Sequence, residues 1–306
     1  MNTRLHDLAR GLVYLAPNLF GFLVFTFLPV IAIFVVAFAS GDFTSGLDPQ
    51  TGELRLDAAW CGLKWFEVML HDREFWQSLW NTAVLMLSIP IQMACSLGLA
   101  LLINHKIPGR VAYRTFLFLP TIAAGLALYM IWRQIYNQEL GLLNSTLEWV
   151  GVIDAGQGPD WLGSSWLSKP SLLVMLVWIA MGGTNMILYL AALQDVDPTL
   201  YEAAAIDGAS PRATFKFITW PSLRPTTFFI LTTNLIGGIQ IFDQVLIMTE
   251  GGPEGSTATI LYYIYRNVYE YQGKIGYAAA LSVVLFLIVF GVTLANWRLN
   301  RAAREA

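Results

Sequence analysis

Six stretches of the chain run for the length of a bilayer crossing with hardly a charged side chain between them. They are 11–41, 75–103, 115–132, 170–194, 225–249 and 275–297, and the one exception is Asp243 in the fifth. A helix needs roughly 17 to 25 apolar residues to cross about 30 Å of hydrocarbon, and a charge at its centre costs about 2.5 to 3.5 kcal/mol on insertion scales. The pattern predicts an all-α, polytopic membrane protein with six transmembrane helices. The spans fall at about 12–39, 76–103, 114–134, 170–193, 225–248 and 275–297, within a single transmembrane domain covering 1–306. The first run follows Arg4 and Arg10, as a secretory leader would. Its apolar stretch is about twice the core of such a leader and has no convincing cleavage site, so it reads as a retained helix. Pro17, Pro29, Pro90 and Pro120 fall inside spans and predict kinks, because proline frees a carbonyl that neighbouring helices can satisfy.

The loop 194–224, between the fourth and fifth spans, is patterned like a folded element. Asp197 followed by Pro198 is an N-cap with proline at the first helical position, and the alanine-rich segment after it favours a helix. Gly208 predicts a left-handed C-terminal residue. Ser210 and Pro211 repeat the cap, starting a second short helix to about Trp220, before Pro221 and Pro225 lead back into the apolar run. A plain connector needs only a few residues. The alternatives are a docking element for a partner, with small Ala203, Ala204 and Ala205 admitting a close backbone and Glu202 and Arg212 setting register, or an amphipathic helix lying in the headgroup layer.

Composition agrees with a lipid solvent: 56% of residues are hydrophobic and only 13% charged, where a soluble domain carries about 25% charged. The net charge of −3 gives no basic surplus for nucleic acid. Eleven Lys and Arg lie on the side holding both termini and the loop 194–224, in short segments; seven lie on the other side, in longer loops that carry 14 of the 21 acids. The excess of cations predicts that both termini are cytoplasmic. The outer loops, about 42–74, 133–169 and 250–274, are rich in Trp and in a tyrosine cluster at 262–271, suited either to headgroup anchoring or to docking an external protein. Cys61 and Cys95 are too few for a disulfide framework, and His6, His71 and His105 are scattered, so no metal site is expected. No G-x-x-x-x-G-K-[ST] run is present, so no nucleotide-hydrolysing centre and no other catalytic residue is expected in the chain.

Polar groups inside spans mark a candidate path, since each unsatisfied one in hydrocarbon is costly. The fourth run carries Trp178, Gly182, Gly183, Thr184 and Asn185; the fifth carries Asn234, Gly237, Gly238, Gln240, Asp243 and Gln244. Trp178, Gly182 and Asn185 have the spacing of one helical face, repeated by Asn234, Gly238 and Ile241. An indole to stack on a sugar ring, amides to bond hydroxyls and glycines to leave room would make a weak carbohydrate site; the same glycines and amides also suit close helix packing.

The string Glu202-Ala203-Ala204, with Gly208 six residues after the glutamate, then Ile218 and Pro221, resembles the EAA loop of binding-protein-dependent ABC importer permeases. Asp207-Gly208-Ala209, Phe215 and Pro225 resemble its carbohydrate branch, with Trp220 where leucine is usual. Two further stretches, 114–120 (Arg-Thr-Phe-Leu-Phe-Leu-Pro) and Phe242-Asp243-Gln244 with Thr249-Glu250-Gly251-Gly252-Pro253, are similar to the maltose, lactose and glycerol-phosphate type of first permease. The resemblance implies an ABC type I importer permease bundle in the cell (inner) membrane, coupled through Glu202, Ala203, Ala204, Asp207, Gly208, Ala209 and Arg212 to two copies of a cytoplasmic ATPase that bind ATP and Mg. It implies a second homologous permease and an external or periplasmic solute-binding protein as partners, beside membrane lipid. The matching cargo positions are Trp178, Met181, Gly182, Asn185, Asn234, Gly238 and Ile241, with Gln240 adjoining them. The expected cargo is a sugar, oligosaccharide or polyol. Glycerol phosphate, or a self-contained secondary transporter using Asp243, are the alternatives.

Overall fold

The computed structural model describes residues 14–39, 60–105, 108–123, 125–271 and 274–305, with side chains to 298. Arg4, His6, Arg10, Arg55, Lys106 and most of the outer loop 42–74 lie outside these residues. The described chain is helical, with one isolated antiparallel bridge, Ala39 to Trp60. It divides into two compact units: residues 1–72 with 264–288, and 73–263 with 289–306.

In the first unit, helix α1 (Tyr14–Ala37) contains a π-helical turn at Leu23–Phe27, which ends two residues before Pro29. The wider turn absorbs the proline, whose ring would otherwise meet the preceding turn. Helix α2 (Lys64–His71) packs Trp65 and Phe66 with Ala37, Ala279, Ala280 and Val283, and the Trp65 indole donates to the Ala39 carbonyl at 2.9 Å.

The second unit contains α3 (Arg73–Leu85), α4 (Ser88–Asn104), α5 (Arg110–Ile122), α6 (Gly125–Ile135), α7 (Leu142–Trp149), α8 (Ser168–Met181) and α9 (Thr184–Gln194). After these come α10 (Pro198–Ile206), α11 (Pro211–Thr214), α12 (Trp220–Ile239) and α13 (Asp243–Met248). Helix α14 (Ile260–Tyr269) and the long α15 (Ile275–Glu305) close the chain, each running from one unit into the other. The core of the second unit is a seam of α4, α9 and α12. Ile89, Met93, Ala100 and Ile103 meet Met186, Tyr189, Leu190 and Leu193, with Leu223 and Ile230 of α12 against both. The spacing of 186, 189, 190 and 193 is one apolar helical stripe. A second cluster gathers Leu85, Leu172, Met175, Ile241, Val245 and Met248.

Among the described residues, three helices are long and apolar enough to cross a membrane: Tyr14–Ala37, Arg73–Asn104 and Ile275–Arg298. Two broken pairs, α5 with α6 and α8 with α9, the latter bent by 40°, would bring the number to five if each is a single span. The expected fifth run, 225–248, is helical as α12 and α13 but is interrupted at Gln240–Phe242. Four threonines and Asn234 also dilute its apolar character.

Candidate functional site

The break between α8 and α9 is built by Gly182 and Gly183. A Cβ on Gly182 would overlap the Leu117 carbonyl oxygen of α5, and one on Gly183 would lie 2.6 Å from the Thr121 hydroxyl. Only glycine lets the α5 backbone approach this closely. Across from the break, buried Ser96 donates to the Ala180 carbonyl at 3.4 Å, taking up a backbone oxygen of the last turn of α8.

Beside the break is a cavity of about 340 Å³, lined by Pro120, Thr121, Ala123, Gly125, Leu128, Tyr129, Ile179, Ala180, Gly183, Thr184, Asn185 and Asn234. Asn185 of α9 and Asn234 of α12, placed on separate spans by sequence, face this one space. The Asn234 Nδ2 is buried and has no hydrogen-bond partner. Thr121 of α5 and Tyr129 of α6 were absent from the expected set, and Thr184 was named only among the polar groups of the fourth run. Tyr129 lies four residues after Gly125, and a Cβ at Gly125 would stand 3.3 Å from the Tyr129 hydroxyl. The glycine–tyrosine spacing in an apolar run is the signal that would have found it, since side chains on a helix lean toward its N-terminus. The Tyr129 Oη accepts a hydrogen bond of 2.9 Å from Gln244 Nε2 at the start of α13. No charged side chain lines the cavity among the described residues.

The other expected pathway residues do not line this cavity. The i, i+4, i+7 face proposed for Trp178, Gly182 and Asn185 is cut by the break, because α8 ends at Met181 and α9 begins at Thr184. Trp178 lies edge-on to Trp132 at 5.4 Å between ring centres. Met181 is half-buried at the end of α8. Gly238 is buried, and a Cβ there would stand 2.8 Å from Ile89 Cδ1, so it serves helix packing. Gln240 and Ile241 lie beyond the end of α12, the first exposed and the second buried in the second core cluster.

The loop 194–224 folds as its caps indicate. The Asp197 carboxylate accepts from the Thr199 amide at 2.9 Å, which holds its carboxyl below the usual carboxylate range. Gly208 takes φ of +69°, and the Ser210 hydroxyl accepts from the Ala213 amide at 3.3 Å. Tyr201 and Thr219 hydroxyls, 3.1 Å apart, tie the two legs of the loop. Glu202, Ala203, Asp207, Gly208, Ala209 and Arg212 are exposed, and Ala204 is half-buried. Between them Ile206 is 87% exposed, an apolar side chain with no cover in this chain. One expectation is corrected. The second leg does not stop near Trp220 but runs through a π-helical turn, Phe215–Thr219, into α12 without a break. Pro221 lacks an amide to donate, and the π turn just before it rearranges the bonding so that the Trp220 amide reaches the Phe215 carbonyl.

Comparison with known proteins gives the family and the fold. The profile of the family described as binding-protein-dependent transport system inner membrane component matches residues 93–305. The lactose transport system permease protein LacF of Rhizobium radiobacter is 36% identical over 223 residues, 72% of this chain and 74% of that protein. The arabinooligosaccharides transport system permease protein AraP of Halalkalibacterium halodurans is 30% identical over 297 residues, covering 96% and 88%. Among solved structures, a bacterial ABC transporter involved in the import of the acidic polysaccharide alginate superposes with a TM-score of 0.82 at 23% identity, over 98% of this chain and 99% of that one. The last likeness establishes the fold.

Proposed function

This chain belongs to the family of binding-protein-dependent transport system inner membrane components, and from that premise we propose that it is the permease subunit of an ATP-driven ABC importer for a neutral sugar, oligosaccharide or polyol. The observation that carries the choice of cargo is the uncharged polar cavity beside the Gly182–Gly183 break, where Asn185, Asn234, Tyr129 and two threonines converge. Its volume falls in the range of roughly 300 to 1,000 Å³ typical of small-molecule sites. An anionic cargo such as glycerol phosphate would call for a guanidinium or ammonium group there, and a sugar needs only amides and hydroxyls. The relatives named for lactose and arabinooligosaccharides support the same class.

The exposed loop is the second half of the proposal. A helix capped at both ends and tied across by Tyr201 and Thr219 is stiff enough to transmit force. In this reading it sits on the cytoplasmic side, and two copies of a separate ATPase, holding ATP and Mg, form a dimer that receives the helix around Glu202 to Gly208, Ile206 included. Their closure rocks this chain against a second homologous permease and turns the cavity outward, toward a loaded solute-binding protein. No chemistry falls to this chain; it supplies a path and a lever.

The test is reconstitution of the chain with its co-purifying subunits and binding protein in liposomes, offered radiolabelled lactose, maltose, trehalose, arabinotriose and glycerol 3-phosphate. ATP-dependent uptake of at least one neutral saccharide, and none of the phosphate ester, is expected. Uptake by the chain alone without ATP would overturn the importer reading and turn attention to Asp243.

A further inference from the structure

We propose that Tyr129 selects the cargo by donating its hydroxyl proton to an oxygen of the saccharide, and that Gln244 is the positioning residue that aims this proton. The inference rests on the carbohydrate reading above and names the part of the cavity that reads the sugar.

A phenol has one proton to donate. The Gln244 amide donates to the Tyr129 oxygen at 2.9 Å, so that bond does not use the tyrosine's proton. Gly125 lets the hydroxyl fold back over the first turn of α6, where any side chain would crowd it. Tyr129 lines the cavity, and so does Asn234, whose Nδ2 is buried without an acceptor. The Tyr129 proton thus awaits an acceptor in a cavity that, among the described residues, no charged side chain lines. A donor left unpaired on binding costs about 1 to 3 kcal/mol, so the cavity favours a guest that brings an uncharged acceptor oxygen to the Tyr129 hydroxyl. Hydroxyl and ring oxygens of a sugar meet that description. Discrimination then rests on hydroxyl positions rather than on charge or bulk, which is the kind of selectivity that a site built around hydrogen bonds achieves best.

The experiment uses the full reconstituted importer, with the saccharide that the wild type carries from the panel above and its set of monodeoxy analogues. Uptake is measured at saturating cargo-loaded binding protein, per folded complex. One analogue should enter the wild type about fivefold more slowly than its parent, the worth of one hydrogen bond. In Tyr129→Phe the parent should slow by a similar factor and the penalty on that analogue should vanish, while the penalties on the other analogues persist. Gln244→Leu, which leaves the tyrosine in place, should reduce the same penalty and no other. An unchanged pattern of penalties in both variants overturns the inference and leaves the carbohydrate reading standing. If the wild type imports none of the saccharides, the carbohydrate reading falls and takes this inference with it.

Discussion

Gly182 and Gly237 each adjoin a second glycine in an apolar run, yet they do opposite things. Gly182 is buried and a Cβ on it would stand 2.4 Å from the Leu117 carbonyl oxygen, so Gly182→Ala must push α5 away from the break. Overpacking of this kind costs about 1 to 3 kcal/mol. Gly237 is helical and has nothing within 4 Å of where a Cβ would stand. Gly237→Ala should therefore leave stability unchanged or raise it by about 0.5 to 1 kcal/mol, since alanine loses less backbone entropy in a helix. Thermal unfolding of the two variants in the same detergent checks both signs. A lower midpoint for Gly237→Ala would mean that this face of α12 is already in contact with something outside the chain.

At the scale of elements, the loop 194–224 was the most legible part of the sequence because its signals are local. Asp197-Pro198, Gly208 and Ser210-Pro211 each act on the backbone within three residues, and each cap forms. The cavity was only half legible. Asn185 and Asn234 could be picked out as polar groups in lipid, but Tyr129 reads as one more aromatic until α5, α6 and α9 are brought together. The Trp178 face failed for a related reason: helical spacing assumes a continuous helix, and the Gly182–Gly183 break follows from the approach of Leu117, a contact that periodicity does not encode. The loop supports two expectations. Gly208 has open space around it but a φ of +69°, so Gly208→Leu should impair the loop through backbone strain of about 1 to 2 kcal/mol. Gly208→Asn should retain more import, since asparagine tolerates that conformation; transport assays of the pair separate strain from bulk. The Asp197 cap adds a pH dependence. Its folded carboxyl titrates below the usual range, so its contribution is full above the ordinary carboxylate value and is lost as pH falls through the lower folded one. Limited proteolysis of the loop should thus accelerate in acid, and Asp197→Asn should remove that component.

At the scale of the molecule, the proposed division of labour separates folding from coupling. Glu202 is exposed on the loop. Glu202→Ala should leave the assembled complex and its thermal midpoint intact while lowering sugar moved per ATP hydrolysed, measured in the reconstituted importer. Unchanged stoichiometry would remove Glu202 from the transmission path. Orientation is tested by single cysteines in a background lacking Cys61 and Cys95. Ser210→Cys should react with a membrane-impermeant maleimide only from the ATPase side, and Glu254→Cys only from the opposite side. Reaction of both from one side would contradict the arrangement of spans on which the lever depends.

The π-helical turn at Phe215–Thr219 gives the lever an angular setting. Each residue of an α-helix turns the chain by about 100°, and the turn holds one residue more than α-helical register would. Deleting a single residue there would let the helix rewind and would swing Glu202 and Ile206 around the α12 axis relative to Asn234, with every cap still formed. The phase between the part that is pushed and the part that faces cargo is thus set by the residue count of one short stretch, much as the teeth of a gear fix when two shafts line up.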